Sequence, residues 1–72
     1  MMAWHREVFS SHINWVAYTD AGEFQVGWKS GRVSAYSNVP ESVAERVSTA
    51  WSVGSAVNEE IKQGGYTHRY LV

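Results

Sequence analysis

The stretch INWVAYTDAGEFQVGWKSGRVSAY, residues 13–36, decides the fold. Apolar and polar residues alternate along it with a period close to two, which is typical of half-buried β-strands. Turn-forming residues interrupt the alternation at 19–22 (TDAG) and again at Ser30-Gly31. The pattern therefore predicts a three-stranded antiparallel meander.

The positions of the two turns predict which residues pair across the strands. A two-residue turn at Ser30-Gly31 places Trp28 opposite Val33. Closing the first hairpin with Tyr18 opposite Glu23 makes the apolar faces of the two hairpins coincide. The face expected to pack on the core carries Ile13, Trp15, Ala17, Phe24, Val26 and Trp28. The opposite, open face is expected to carry Asn14, Val16, Tyr18, Gln25, Gly27, Ser34 and Tyr36.

Two helices are predicted after the meander. Pro40 and Glu41 suit the first turn of a helix, because proline tolerates the first helical position and a carboxylate favours the positive end of the dipole. Residues 52–55 interrupt the pattern, and Gly64-Gly65 supplies a helix stop. The apolar positions at helical spacing are Val43, Val47, Ala50 and Trp51, then Ala56, Val57 and Ile61.

The predicted fold class is α+β. A three-stranded antiparallel meander is followed by two short helices packed on one face of the sheet. Each end of the chain, residues 4–9 and 66–72, is expected to form a short added strand or an ordered arm. No linker, repeat or low-complexity run divides the sequence, so residues 1–72 form a single domain.

Composition limits how such a small domain can be stabilised and where it works. A core of this size rarely supplies more than about 3–5 kcal/mol, and the sequence has no Cys to form a disulfide or a thiolate metal site. We therefore expect a homo-oligomer. The apolar runs are too short to span a membrane, and residues 1–10 lack the apolar region of a signal peptide, so a cytoplasmic location is expected.

No pattern of catalytic or metal-binding residues stands out. The three histidines, His5, His12 and His68, lack the spacing of a metal-ligand set. No serine lies in a G-x-S-x-G motif, and the carboxylates at 41, 45, 59 and 60 suit solvated helix surfaces. We expect a protein that is not an enzyme and that uses neither a metal nor a cofactor.

Several segments, read in order, resemble the KTSC domain family. They are SSHI at 10–13, VAY at 16–18, FQVGWKSG at 24–31, YSNVP at 36–40 and AWSVG at 50–54, followed by Asn58, Ile61 and Tyr66. The resemblance covers most of the chain and implies a stand-alone small protein of bacteria or phages, or a domain like that at the C-terminus of some lysyl-tRNA synthetases. It also implies RNA binding as a candidate function.

The sequence departs from the family pattern at two positions. Ser34-Ala35-Tyr36 keeps only the second tyrosine of a Tyr-x-Tyr motif, and Val57 stands where an aromatic residue is usual. One aromatic ring that could stack on a base is therefore missing.

The residues themselves point to a non-catalytic binding module for a nucleotide-type ligand. Tyrosines on an open sheet face can stack on bases, and cations beside a hairpin turn can bind phosphate. The candidate ligand-binding residues are Tyr18, Lys29, Arg32, Tyr36, Asn58 and Arg69. Each has a simpler explanation: a solubilising hairpin tip, a tyrosine interface between subunits, or capping of the second helix near residues 52–55. The polar aromatic cluster at 66–70 suits either a ligand or a docking tail.

The ligand class follows from the charge. Six Lys and Arg against seven Asp and Glu give a net charge of −1, which disfavours a protein that binds nucleic-acid backbones nonspecifically. We expect either a small nucleotide signal, sequestered by a phage or bacterial protein, or single-stranded RNA. The alternative is a protein-interaction or homo-oligomeric assembly module without a small ligand.

Overall fold

One five-stranded antiparallel sheet and two helices make up the computed structural model, which describes residues 2–72. The strands are β1 (Met2–Glu7), β2 (Ile13–Thr19), β3 (Phe24–Trp28), β4 (Val33–Tyr36) and β5 (His68–Tyr70), and they are ordered β1-β2-β3-β4-β5 in the sheet. The helices are α1 (Glu41–Ser48) and α2 (Val53–Ala56), the second of which continues as a π-helix over Val57–Lys62. The predicted α+β class is confirmed.

The sheet has five strands instead of three because both ends of the chain pair with the meander. β1 pairs with β2, and its side chains alternate: Trp4 and Arg6 are half-buried, whereas His5 and Glu7 are exposed. β5 pairs with β4 in an antiparallel register. Both additions satisfy backbone N–H and C=O groups that a three-stranded sheet would leave free at its edges.

Both hairpins close with three-residue loops, which shifts their registers by one residue from the prediction. Thr19 N–H bonds to the Glu23 carbonyl (3.0 Å), and Trp28 N–H bonds to the Arg32 carbonyl (2.9 Å). The third loop residue is in each case a glycine in the left-handed region, with φ 82° at Gly22 and 96° at Gly31. A turn followed by a left-handed glycine is a common three-residue hairpin loop.

The predicted pairs were accordingly wrong in most of the meander. Tyr18 pairs with Phe24 instead of Glu23, and Val33 pairs with Gly27 instead of Trp28. The pairing of Ile13 with Trp28 is as predicted, because an irregularity between Ile13 and Trp15 absorbs the shift. Trp15 therefore lies opposite Gly27.

The shift exchanges side chains between the two faces of the sheet, since neighbouring residues of a strand point to opposite sides. Ile13, Phe24 and Val26 belong to the core, as predicted. The placement of six other residues was wrong: Val16, Tyr18, Ser34 and Tyr36 lie on the helix-covered face, whereas Trp15 and Ala17 lie on the opposite one. The core cluster also takes Val39 and the helix residues Ala44, Val47, Val53, Val57 and Ile61.

The helices begin and end close to the predicted positions. Pro40 is the N-cap of α1, and Ser52 caps α2 by accepting a hydrogen bond from the Ser55 N–H (3.4 Å). Gly65, with φ 79°, follows the end of the π-helix. Trp51 was expected on the apolar face of the first helix, but α1 ends at Ser48 and the Trp51 side chain is fully exposed.

A bidentate ion pair fastens β1 to α1. The Arg6 guanidinium donates to both carboxylate oxygens of Glu45, each at 2.8 Å, and to Ser48 Oγ at 2.8 Å. Hydrogen bonding by Arg6 lowers the pKa of the Glu45 carboxyl, and the same hydrogen bond raises the pKa of Arg6. The two parallel hydrogen bonds between guanidinium and carboxylate give such a pair a defined orientation. The pair therefore positions β1, the edge strand, against α1.

The two phenylalanines provide a matched test of the core. Phe24→Ala removes a fully buried ring and should lower the free energy of unfolding by about 3–5 kcal/mol. Phe9→Ala removes a ring that is fully exposed and should change it by less than about 0.5 kcal/mol. Urea denaturation followed by circular dichroism measures both. Equal midpoints for the two variants would contradict the observed packing.

The Arg6–Glu45 pair predicts a pH dependence of stability. The pKa of Glu45 is lowered in the folded state, so the unfolded state binds a proton at this carboxylate first as pH falls. The contribution of the ion pair to folding stability is therefore fully present above the ordinary glutamate pKa of about 4.3. It is lost as pH falls through the lowered pKa of the folded state. Urea midpoints measured from pH 6 downward should fall less steeply in Glu45→Gln than in the parent. Identical slopes would show that the pair contributes nothing.

Candidate functional site

A cleft of about 1190 Å³ opens on the helix-covered side of the sheet. Its walls come from four parts of the chain: the loop at 9–12 between β1 and β2, the β3–β4 hairpin at 28–36, the helical segment 51–58 with Lys62, and the C-terminal segment 66–70. The Lys29 N–H donates to the His12 carbonyl (2.8 Å), which holds the first two walls together. Segments far apart in sequence thus form one concave surface.

The cleft concentrates positive charge in a chain whose net charge is −1. Lys29, Arg32 and Lys62 line it, whereas no Asp or Glu does so within residues 2–72. These three cations make no ion pair in the described part of the chain. The other cations are each paired outside the cleft: Arg6 with Glu45, Arg46 with Glu60, and Arg69 with Glu23.

A row of aromatic side chains forms the wall at the β5 edge. Tyr36 is 4% exposed, and its ring centroid lies 4.8 Å from that of His68. His68 in turn meets Tyr70 edge to face at 4.6 Å. The Arg32 guanidinium carbon lies 4.0 Å from the Tyr70 centroid, a cation–π contact that holds the cation beside the rings.

The floor of the cleft contains a second pairing of a cation with a ring. Trp28 is oriented by its indole N–H, which donates to Ser34 Oγ at 2.8 Å. Lys62 Nζ lies 4.8 Å from the Trp28 ring centroid. The ammonium group thus lies over an aromatic face and keeps its hydrogen-bonding capacity for a ligand.

Two fully exposed aromatic side chains flank the cleft. Phe9 belongs to the β1–β2 loop and Trp51 to the connection between the helices. The β1–β2 loop lies close to the start of α2, since a Cβ atom at Gly54 would lie 3.3 Å from Ser10 Oγ. Serines accompany the rings: Ser10, Ser11, Ser52 and Ser55.

The π-helix contributes Asn58 and Lys62 to the cleft. Its wider turn is shown by the hydrogen bond from the Gln63 N–H to the Asn58 carbonyl (3.3 Å), which spans five residues. Val57 and Ile61 of the same helix pack into the core, and Val57 also borders the cleft. π-Helices are rare and occur frequently at functional sites.

Four of the six predicted ligand-binding residues line the cleft: Lys29, Arg32, Tyr36 and Asn58. The structure does not bring Tyr18 to it. The Tyr18 hydroxyl donates to the Val39 carbonyl at 2.7 Å, and burial raises the pKa of this tyrosine. Arg69 pairs with Ala35 on the opposite face of the sheet and forms an ion pair with Glu23 at 2.7 Å.

The open face of the sheet was expected to offer space over Gly27 for a flat ring. A flat ring does lie there, but it belongs to Trp15, which a Cβ atom at Gly27 would overlap. The His5 ring lies beside that indole, with centroids 4.8 Å apart. The space predicted for a ligand is therefore filled by the protein itself.

Sequence reasoning missed three functional candidates of the cleft. Trp28 was expected only in the core, and Lys62 drew no attention because a single helix cation is ordinarily solvated. Ser34 was placed on the wrong face. His68 and Tyr70, in contrast, belong to the C-terminal aromatic cluster that the composition had singled out.

The fold and the cleft define a small α+β domain in which two helices cover one face of an antiparallel sheet. The family model of the KTSC domain matches residues 9–66, and the chain belongs to the KTSC domain family. It is similar to the crystal structure of a KTSC domain protein from Yersinia pestis, with a TM-score of 0.87, 26% identity and coverage of 100% of both chains. No curated protein matches the chain.

Two further properties concern the part of the chain from residue 2 to residue 72. None of its helices is long and apolar enough to cross a membrane. It also contains no group of three His, Asp or Glu side chains arranged to hold a metal ion.

The contact between Trp15 and Gly27 can be tested by a double-mutant cycle. Gly27→Ala should lower the free energy of unfolding by about 1–3 kcal/mol, because the new methyl group displaces the indole. In a Trp15→Ala background the same substitution should be nearly neutral. Urea denaturation of the four proteins measures the coupling. An equal loss in both backgrounds would rule out the observed register of β2 against β3.

Proposed function

We propose that this KTSC domain binds a nucleotide-type ligand in the cleft and leaves it chemically unchanged. One observation carries the proposal: the three Lys and Arg side chains that form no ion pair within residues 2–72, Lys29, Arg32 and Lys62, line the same cleft as the exposed aromatic rings. Phosphates and bases are the ligand groups that this combination suits.

The cations suit a small number of phosphates. Arg32 can donate two parallel hydrogen bonds to one phosphate, whereas Lys29 and Lys62 act as mobile point charges. Serine hydroxyls along the cleft add donors that carry no charge. A long RNA would need more cations along its path, so three of them favour a small nucleotide or a short single-stranded segment.

The aromatic wall suits a base. His68 and Tyr70 are both exposed residues, whereas Tyr36 lies behind His68 and is almost completely buried. The His68 and Tyr70 rings stand nearly perpendicular, at 84°, so one base can stack on only one of them. We therefore assign base stacking to Tyr70 and supporting roles to His68 and Tyr36. Stacking on an aromatic side chain contributes about 1–3 kcal/mol per base.

Two features support binding without catalysis. General acid–base chemistry at an imidazole usually needs a third group that orients the ring, and no carboxylate lines the cleft within residues 2–72 to orient His12 or His68. The imidazole of His68 is packed between the rings of Tyr36 and Tyr70. We assign it a role in the shape of the aromatic wall.

The second candidate function is homo-oligomeric assembly. The exposed apolar residues favour it: Phe9, Trp51, Leu71 and Val72. Exposed apolar patches mark interfaces, and here Leu71 and Val72 are neighbours at the C-terminus while Phe9 and Trp51 flank the cleft. In this case the chain would associate with copies of itself and would need no small ligand.

The proposal is tested by calorimetry with mononucleotides, cyclic nucleotides and short single-stranded RNA. Arg32→Gln and Lys62→Gln should each weaken binding about ten- to a hundredfold, because each removes charge-assisted hydrogen bonds worth about 1.5–3 kcal/mol. Affinity should also become less dependent on salt. Arg69→Gln, on the opposite face, is the matched control and should bind as the parent does.

Two results would refute this function. One is the absence of any ligand in the panel that binds the parent below about millimolar concentration. The other is a parent-like affinity in both Arg32→Gln and Lys62→Gln. The ratio of absorbance at 260 and 280 nm after purification gives an early indication, since a retained nucleotide raises it.

A further inference from the structure

We infer that the cleft accommodates two bases joined through phosphate, and this inference rests on the proposed function. One base would stack on Tyr70 beside His68, and the other would contact Phe9 and Trp51. The phosphate linkage would lie between them, near Lys62. The ligand class is thus a dinucleotide, linear or cyclic, in preference to a mononucleotide.

The two aromatic sets come from different parts of the sheet. His68 and Tyr70 are on β5, whereas Phe9 is in the loop that leads into β2. Three strand spacings of about 4.8 Å separate β2 from β5, so these two strands lie on the order of 14 Å apart in the sheet. A ligand that reaches from β5 to the loop before β2 has to cross this width, which is more than one base covers.

The side chains of Phe9 and Trp51 are more exposed than the other aromatic side chains of the cleft. Tyr36, His68 and Tyr70 contact one another, and Trp28 is hydrogen-bonded to Ser34. The side chains of Phe9 and Trp51 are each 104% exposed. Exposed apolar residues surrounded by polar ones mark a contact surface, and here the polar neighbours are serines of the same cleft.

Charge and size both favour a ligand over a second protein surface at this position. Lys62 lies over Trp28 in the floor of the cleft, where a phosphodiester that joins the two bases would pass. The cleft volume of about 1190 Å³ exceeds the range of about 300–1,000 Å³ that is usual for drug-sized ligands. A mononucleotide would leave much of this space unfilled.

The test compares adenosine monophosphate with the linear dinucleotide pApA and with cyclic diadenylate by calorimetry. At least one dinucleotide should bind the parent at least tenfold more tightly than the mononucleotide. Trp51→Ala should weaken binding of that dinucleotide about five- to a hundredfold, which corresponds to the loss of one stacking contact, and should leave mononucleotide affinity within about twofold. Leu71→Ala removes an exposed apolar side chain outside the cleft and should change neither affinity.

The outcomes separate this inference from the proposed function. Equal affinities for one base and two bases would overturn the inference and leave nucleotide binding in place. No binding of any of the three compounds would overturn the inference as well, and binding of other mononucleotides or RNA would then decide the proposed function. If Trp51→Ala leaves dinucleotide affinity unchanged but converts an oligomer to a monomer in light scattering, Trp51 contacts another copy and the second base site is wrong.

Discussion

Two left-handed glycines set the strand register on which the rest of the structure depends. Gly22 and Gly31 occupy the third position of their hairpin loops, where φ values of 82° and 96° are unfavourable for other residues. Each loop therefore closes with three residues and aligns Phe24 with Tyr18 on one side and with Tyr36 on the other. All three rings then lie under the helices, where they form the centre of the core.

The same register builds the cleft. It places Ser34 where its hydroxyl accepts the Trp28 indole N–H, so one edge of the indole is fixed and Lys62 lies over its ring. It also places Tyr36 on the helix-covered face, where the pairing of β4 with β5 brings His68 beside it, so that a buried phenol supports an exposed imidazole. The rigid floor comes from the sheet, and the charged and exposed groups come from the loops and the π-helix around it.

The sequence predicted the α+β class and both helices, because these depend on local signals such as Pro40 and the glycine pair after the π-helix. It could not predict the faces of β2, since Trp15, Val16 and Ala17 are all apolar and alternation does not distinguish the two sides. The partner of the Tyr18 hydroxyl is a backbone carbonyl 21 residues away, which no short pattern reveals. The place of Lys62 in the cleft could likewise be recognised only in the structure, because it depends on the contact with Trp28, a residue distant in sequence.

Net charge proved a poor guide to the cleft because it sums charges that are already paired. Arg6, Arg46 and Arg69 lie against carboxylates elsewhere, so their charges are largely compensated at short range. With ions at physiological strength, charges separated by more than about 8 Å are screened, and a ligand in the cleft experiences mainly the cations that line it. A protein with a net charge of −1 can therefore present a local concentration of positive charge. Three Lys and Arg side chains line the cleft within residues 2–72, and we propose a short ligand because a long nucleic-acid backbone would need more of them.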